Sequence, residues 1–422
     1  MSKIKTSTIL SLLIPLSMLC FAIRGKVGAI IITVLNFILL FYLIKEKKIH
    51  KPFSNCYAAF ILVFSLVLGV IRSSTFEYYL FIGYFTVFLV LLNNNIDIYK
   101  NIWNLLGKIA IFEAFGIFIQ KLLPNVYYSC ISMILPSSVV MSIKDRLVDG
   151  YYTGFTREIS FTMFFIVIGL GIYIFDILKR DENKVELNYR IKKYLIITFL
   201  FIALLISGKR ATLLFFILSI FIIQFIKSKN SLKIIKYLIV GSGIIFLLYV
   251  TFPIWSKISY LSRIVELINY INTENVIGIT NGRNIIYQNA IDLWNNNRIL
   301  GIGWGNFKYM VSQSLWYSGY DVHNCYLQIL CENGLIGAII FYILTVISST
   351  RMIKCVKKYR DFGDNKSYKL VLLVSFIQIF FIIYSITEPI LYEYTDYIIY
   401  FISINIIEIL LFKIKHTKEN NI

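Results

Sequence analysis

Apolar runs close to the length of a bilayer crossing recur from one end of this 422-residue chain to the other. A helix needs about 20 mostly apolar residues to cross about 30 Å of hydrocarbon. Twelve runs are read, at 9–23, 27–44, 56–71, 76–92, 102–123, 158–178, 194–207, 211–226, 234–252, 324–348, 370–386 and 395–412, and their short edges allow a count of 11 to 13. They are continuous rather than alternating, so helices are expected and a barrel is not. With 58% hydrophobic and 15% charged residues, a soluble chain is excluded. The fold class expected is an all-α integral membrane protein with one long extracytoplasmic loop. Four parts follow: N-terminal spans in 1–123, central spans with a short outer segment in 124–252, the long loop in 253–323 and C-terminal spans in 324–422.

A net charge of +19 invites a nucleic-acid reading. The distribution of that charge opposes it. With an inside N-terminus, 27 of the 42 Lys and Arg fall in cytoplasmic segments, 13 fall outside, and Lys108 and Lys121 lie in a span. That is the positive-inside bias, so both termini are expected in the cytoplasm. The runs 179–193 and 351–369 read as solvated loops against anionic head groups. The first apolar run, after Lys3 and Lys5, has the character of a signal sequence. No clear small-residue cleavage site follows it, and it reads as an uncleaved first helix. Six scattered cysteines without a CxxC pair read as buried free thiols, not as a metal or disulfide site.

No internal repeat is evident. Two outer segments are longer than the rest. In 124–157, the stretch Val126 to Ile143 is apolar but interrupted by Pro136, and reads as an amphipathic or re-entrant piece at the interface, or else as a true span. The loop 253–323 is rich in Asn, Tyr and Trp, with helices expected around 256–271 and 283–296. A long structured loop among short ones is usually functional.

Polar chemistry has few places to sit in such a chain. His50 and His416 lie in basic cytoplasmic segments, whereas His323 stands where the long loop re-enters the membrane, between Asp321 and Asn324. Imidazole is the natural proton acceptor for activating a hydroxyl, and Asp321 is a candidate to orient it. Arg283 follows the turn signal Asn281-Gly282. Lys209 and Arg210 follow Ser207-Gly208 in a short outer turn, and Arg157 and Glu158 stand at the outer start of a span. Arginine this near hydrocarbon is costly unless paired or used. Any one of them can be a head-group contact. Recurrence on one face suggests a cationic cluster for an anion, and guanidinium suits diphosphate.

Gly301-Ile302-Gly303-Trp304-Gly305 lacks the Lys-Ser/Thr of a phosphate loop. It suits a tight turn with Trp304, Phe307, Trp316 and Tyr320 as aromatic platforms for sugar, although such residues also mark membrane interfaces. Glu332 lies in the tenth run, where it can pair with an arginine or hold helices together. Gly334 and Gly337 after it allow close helix approach. Glu388, Glu393 and Asp396 in the last outer loop are acidic candidates.

Ser207-Gly208-Lys209-Arg210, then Gly282-Arg283 with Ala290 and Trp294, then Gly301 to Phe307, then His323-Asn324 with Leu327 and Glu332-Asn333-Gly334-Leu335-Ile336-Gly337 form an ordered set. The set resembles the O-antigen ligase and polymerase superfamily over roughly residues 150–345. The resemblance implies metal-independent, inverting glycosyl transfer from undecaprenyl diphosphate at the outer face of the cytoplasmic membrane, with no cofactor. It implies that Arg210 and Arg283 hold the diphosphate and that His323 acts on the acceptor hydroxyl, these three being catalytic. Arg157, Glu158, Lys209, Trp304, Asn324 and Glu332 are expected to contact substrate. The short turn departs from the family's usual Ser-Arg, which leaves open whether Lys209 or Arg210 does the work. Membrane lipids, a chain-length regulator and a flippase are the implied partners. A polymerase making O-antigen, capsule or a similar glycan is the reading. A ligase onto lipid core, protein or wall is the alternative within the class, and a flippase or transporter of lipid-linked glycan the alternative outside it. Transporters usually show internal repeats and charges along a central cavity, whereas here the polar residues gather at one face.

Overall fold

The computed structural model describes residues 6–23, 25–46, 57, 78–92, 96–148, 150–177, 187–229, 273, 282–312, 321–362 and 365–419. Among these the chain is helical, with no strand. The helices are α1 Thr6–Ile23, α2 Gly25–Glu46, α3 Tyr78–Leu91, α4 Ile96–Leu122, α5 Pro124–Ile134, α6 Ser137–Val148 and α7 Ile159–Ile177. They continue with α8 Leu187–Ile206, α9 Arg210–Lys227, α10 Arg283–Asn296, α11 Phe307–Ser312, α12 Cys325–Phe362, α13 Asn365–Tyr384 and α14 Tyr394–Glu419. Among the described residues six of them, α4, α7, α9, α12, α13 and α14, are long and apolar enough to cross a membrane, and α1, α2 and α3 contain shorter apolar stretches. The protein is an integral membrane protein. Expected span 56–71 apart from Tyr57, expected span 234–252, the expected helix 256–271, and His50, Asn281, Trp316 and Tyr320 lie outside the described residues. The helix expected at 283–296 is α10.

Two compact units divide the chain. Unit 1 comprises 1–109, 285–355 and 373–422, and unit 2 comprises 110–284 and 356–372. In unit 1, α14 packs against α1 and α3, and α2 against α1 and α3. Polar contacts pin these apolar helices: the buried pairs Ser17 Oγ to the Tyr394 hydroxyl (3.1 Å) and Asn405 Nδ2 to the Tyr99 hydroxyl (2.7 Å), and the partly exposed pair Arg351 to Glu408 (2.6 Å). Hydrocarbon offers no alternative partners, so such contacts fix which faces meet. On α2 the residues Ile30, Val34, Phe37, Phe41 and Ile44 are exposed. Their spacing of three and four makes one helix face, as a lipid-facing stripe requires.

In unit 2, α7 packs on α8 and α9 and is buried along most of its length. Gly169 sits where α7 meets α4: a Cβ there would lie 2.3 Å from the Ala110 Cβ. Gly169→Val is therefore expected to force the helices apart, at about 1–3 kcal/mol for overpacking. A lowered thermal midpoint of the detergent-purified protein is the expected result, and an unchanged midpoint would contradict it.

The stretch after α4 is two short helices, not a span. α5 begins with Pro124 at its first turn, where a missing N–H costs nothing. It ends at Leu135, held extended (φ −102°, ψ 151°) by the ring of Pro136 that follows. At 11 and 12 residues, neither α5 nor α6 reaches the length of about 20 that a crossing needs.

Candidate functional site

The expected tenth span, 324–348, is part of a longer and broken helix. α12 runs on to Phe362, and Gly334 within it is non-helical, at φ 63° and ψ −168°. A break strands backbone groups that must be satisfied elsewhere. Here the loop after α10 takes them over. Ile302 N–H donates to Cys331 O (3.1 Å) and Gly303 N–H to Glu332 O (2.8 Å), while Leu335 and Ile336 donate to the carbonyls of Arg298 (2.8 Å) and Ile299 (3.4 Å). Close approach is possible because a Cβ on Gly301 would lie 2.3 Å from the Glu332 backbone, and one on Gly334 would lie 2.2 Å from Ile299 O. Gly334 thus admits a loop, where the sequence suggested a neighbouring helix.

Glu332 fastens the same junction. Its carboxylate, fully buried, accepts from Gly305 N–H (2.8 Å), Phe307 N–H (3.1 Å), the Tyr392 hydroxyl (2.5 Å) and Gln328 Nε2 (3.3 Å). Those four donors match the lone-pair capacity of a carboxylate. Burial and the neighbouring Glu332 charge push the Tyr392 hydroxyl well above its ordinary pKa, so it remains a donor. Trp304 is 7% exposed, stacked on Tyr392 (4.9 Å) and edge-on to Tyr84 (5.9 Å). Its ring packs inside the protein rather than presenting an open platform.

The loop, α10 and the start of α12 share a small core of Ile286, Ala290, Ile302, Phe307, Val311, Val322 and Cys331. On it stands His323. Among the described residues His323 is the one non-glycine residue with positive φ, at 54°. Such a conformation costs on the order of 1–3 kcal/mol and clusters at functional sites. The Tyr287 hydroxyl donates to His323 O (3.2 Å). Tyr287 lies one turn along α10 from Arg283, which opens that helix after Gly282 (φ 75°), so the two share a helix face. Asn324 is the N-cap of α12, its Oδ1 accepting from Leu327 N–H at 3.0 Å.

The carboxylate beside the imidazole is not Asp321, which accepts from Gln328 Nε2 at 3.1 Å. It is Glu388, whose Oε2 lies 3.9 Å from His323 Nδ1; Glu388 is 4% exposed. That separation suits charge stabilisation and is too long for a direct hydrogen bond. Catalytic contacts commonly tighten once substrate binds.

Unit 2 holds the other expected residues at the start of α7. Gln120 Oε1 accepts from the N–H groups of Thr153 (2.8 Å) and Gly154 (3.2 Å), and Glu113 Oε2 from Phe155 N–H (3.0 Å) and the Thr162 hydroxyl (3.2 Å). The turn so held presents Arg157, its guanidinium 5.1 Å over the Phe161 ring, with Glu158 beside it. The Ser207–Arg210 turn lies against it: Tyr152 N–H donates to Ser207 O (3.2 Å), and a Cβ on Gly208 (φ 78°) would meet Gly150 O at 2.5 Å. Lys209 Nζ donates to Ser160 Oγ, and Arg210 opens α9. Arg157 and Lys209 thus flank the first turn of α7, already the positive end of its dipole. Anionic ligand charge is favoured at such a place.

Sequence reasoning missed Gln328, Tyr287, Tyr392, Glu113 and Gln120. Glu113 and Gln120 did carry a signal, as polar side chains seven residues apart in an apolar run.

Residues 195–342 match the family model described as O-antigen ligase. The resemblance drawn from the motifs therefore holds over that stretch, which includes Lys209, Arg210, Arg283, Trp304, His323, Asn324 and Glu332 and leaves Arg157, Glu158 and Glu388 outside. No curated protein matches the chain.

Proposed function

We propose that this protein is a polymerase of lipid-linked oligosaccharide repeat units. It transfers the growing glycan from undecaprenyl diphosphate to the terminal sugar of an incoming unit, at the outer face of the cytoplasmic membrane. One observation carries the reading: within the O-antigen ligase segment, His323 is held in a costly backbone conformation with Glu388 against its Nδ1. A structural histidine needs no such arrangement.

The chemistry follows from the groups present. The acceptor hydroxyl attacks the anomeric carbon and passes its proton to the imidazole. The bond from that carbon to the diphosphate oxygen breaks, with inversion. Glu388 stabilises the imidazolium that forms. The departing diphosphate gathers negative charge, for which Arg210 and Arg283 are the guanidiniums that the family resemblance assigns. Fixed charge where charge develops is usually the largest catalytic term, and a positioned base adds a factor of about 10² to 10⁴. Diphosphate leaves readily, so the reading requires no cofactor.

The sugar pattern of a strain lacking the gene tests the assignment. Surface glycan reduced to single repeats is the expected result, restored by the wild-type gene but not by Arg210→Ala or Arg283→Ala made at normal abundance. Full-length polymer left on its lipid would instead identify a ligase. Lipid-linked repeats stranded at the inner face would identify a flippase.

A further inference from the structure

A left-handed backbone at a non-glycine residue does not hold itself; neighbours must over-determine it. Two of those neighbours are Asp321 and Val322, and both are gripped by one buried side chain. Gln328, fully buried in the first turns of α12, accepts from Val322 N–H through Oε1 (3.3 Å). Its Nε2 donates to Asp321 Oδ1 (3.1 Å) and to Glu332 Oε1 (3.3 Å). The orientation of the amide is dictated by its surroundings. Two carboxylates require the NH₂ end and one backbone N–H requires the oxygen, so a flipped amide would lose all three bonds. The arrangement resembles a capping box, in which a side chain early in a helix reaches back to the N–H groups that precede it.

The same network reaches the loop that carries Glu388. Glu332 accepts from the Tyr392 hydroxyl (2.5 Å). Tyr392 belongs to the loop joining α13 to α14, and Glu388 stands in that loop. Tyr392 N–H donates in turn to Pro389 O (2.8 Å), next to Glu388.

We infer that Gln328 is a positioning residue for His323: bridging Asp321, Val322 and Glu332, it sets the imidazole against Glu388. Where turnover is the readout, the inference rests on the transfer reading above; where the imidazole itself is probed, it does not. Without the bridge, Asp321 loses its Gln328 donor and the Val322 N–H loses its acceptor. The chain at 321–323 then relaxes toward ordinary backbone angles, and the ring moves off Glu388.

Gln328→Glu keeps length and shape and preserves the acceptor for Val322 N–H, but it loses both donors and faces two carboxylates. Adding Asp321→Asn returns a donor to one of those bonds from the other side. Two measurements on detergent-purified protein read the outcome. The first is the rate at which diethyl pyrocarbonate modifies His323 at fixed pH, followed by peptide mass spectrometry, which needs no substrate. The second is transfer from a polyprenyl-diphosphate oligosaccharide. Gln328→Glu is expected to change the His323 modification rate several-fold. It should lower kcat by roughly 10- to 100-fold, as a misplaced base does, with donor KM within about twofold. Asp321→Asn in the same chain should restore both. Gln328→Met, which removes the bonds without adding charge, gives the same reading if Gln328→Glu fails to fold. An unchanged His323 modification rate in folded Gln328→Met would overturn the inference. A changed rate in a protein that transfers nothing even as wild type would uphold the positioning and overturn only the transfer reading.

Discussion

Gly334→Ala is expected to leave little folded protein in the membrane. Gly334 occupies φ 63° and ψ −168°, a region essentially confined to glycine. Its Cβ would lie 2.2 Å from Ile299 O, 2.4 Å from Ile299 C and 2.6 Å from Gly301 N. All three are backbone atoms, and none can swing aside as a side-chain tip would. Relief requires the loop 298–303 to withdraw from α12. That withdrawal surrenders the four backbone bonds joining Arg298, Ile299, Ile302 and Gly303 to the helix break; the groups of Ile302, Gly303, Cys331 and Glu332 are buried, and each of these left unsatisfied costs about 1–3 kcal/mol. The combined penalty is comparable to the whole stability of a typical domain, roughly 5–15 kcal/mol. Size-exclusion profiles and thermal midpoints of the extracted protein check it. A monodisperse Gly334→Ala protein melting with the wild type would show that the loop is not docked as described.

His323→Asn should separate stability from chemistry. Asparagine tolerates left-handed backbone as well as any residue except glycine, so the strain at φ 54° is met and abundance should stay normal. Asparagine cannot take a proton from a hydroxyl near neutral pH. Loss of a positioned base predicts a rate reduced by roughly 10² to 10⁴. Glu388→Gln preserves shape and removes only the charge facing Nδ1, so its loss should be smaller. Initial rates of glycan extension in isolated membranes, normalised to protein by immunoblot, measure both. Normal rates in His323→Asn would remove the general base from the mechanism.

Much of the fold was legible because hydropathy reports directly on lipid. All ten apolar runs that fall within the described residues coincide with helices. What hydropathy does not mark is where a helix stops. α12 and α14 continue past their apolar runs through Arg351–Arg360 and Lys413–Glu419, because Lys and Arg are good helix formers once the hydrocarbon ends. The break at Gly334 was invisible for another reason. A glycine in an apolar helix is tolerated until some other backbone offers partners for the groups it strands, and that partner is a loop more than thirty residues earlier. At the site, proximity in sequence misled. His323, Lys209 and Arg157 stood out as costly groups at a membrane edge. Asp321, two residues from His323, looked like its partner, yet the carboxylate beside the ring is Glu388 from the loop joining α13 to α14. Glu332 and Asn324 looked like substrate contacts; their protein partners are the Gly305 and Phe307 backbone and the α12 N-terminus. The O-antigen ligase match covers the loop that carries these motifs and stops short of Glu388.

On the proposed reading this chain itself forms a glycosidic bond from a polyprenyl-diphosphate donor, using His323 and its arginines. Purified protein in lipid nanodiscs, supplied with only a lipid-linked repeat unit and a chelator, tests that most directly. Lipid-linked oligomers of increasing length are expected from the wild type and none from folded Arg210→Ala or His323→Asn. Equal product from all three proteins would contradict it.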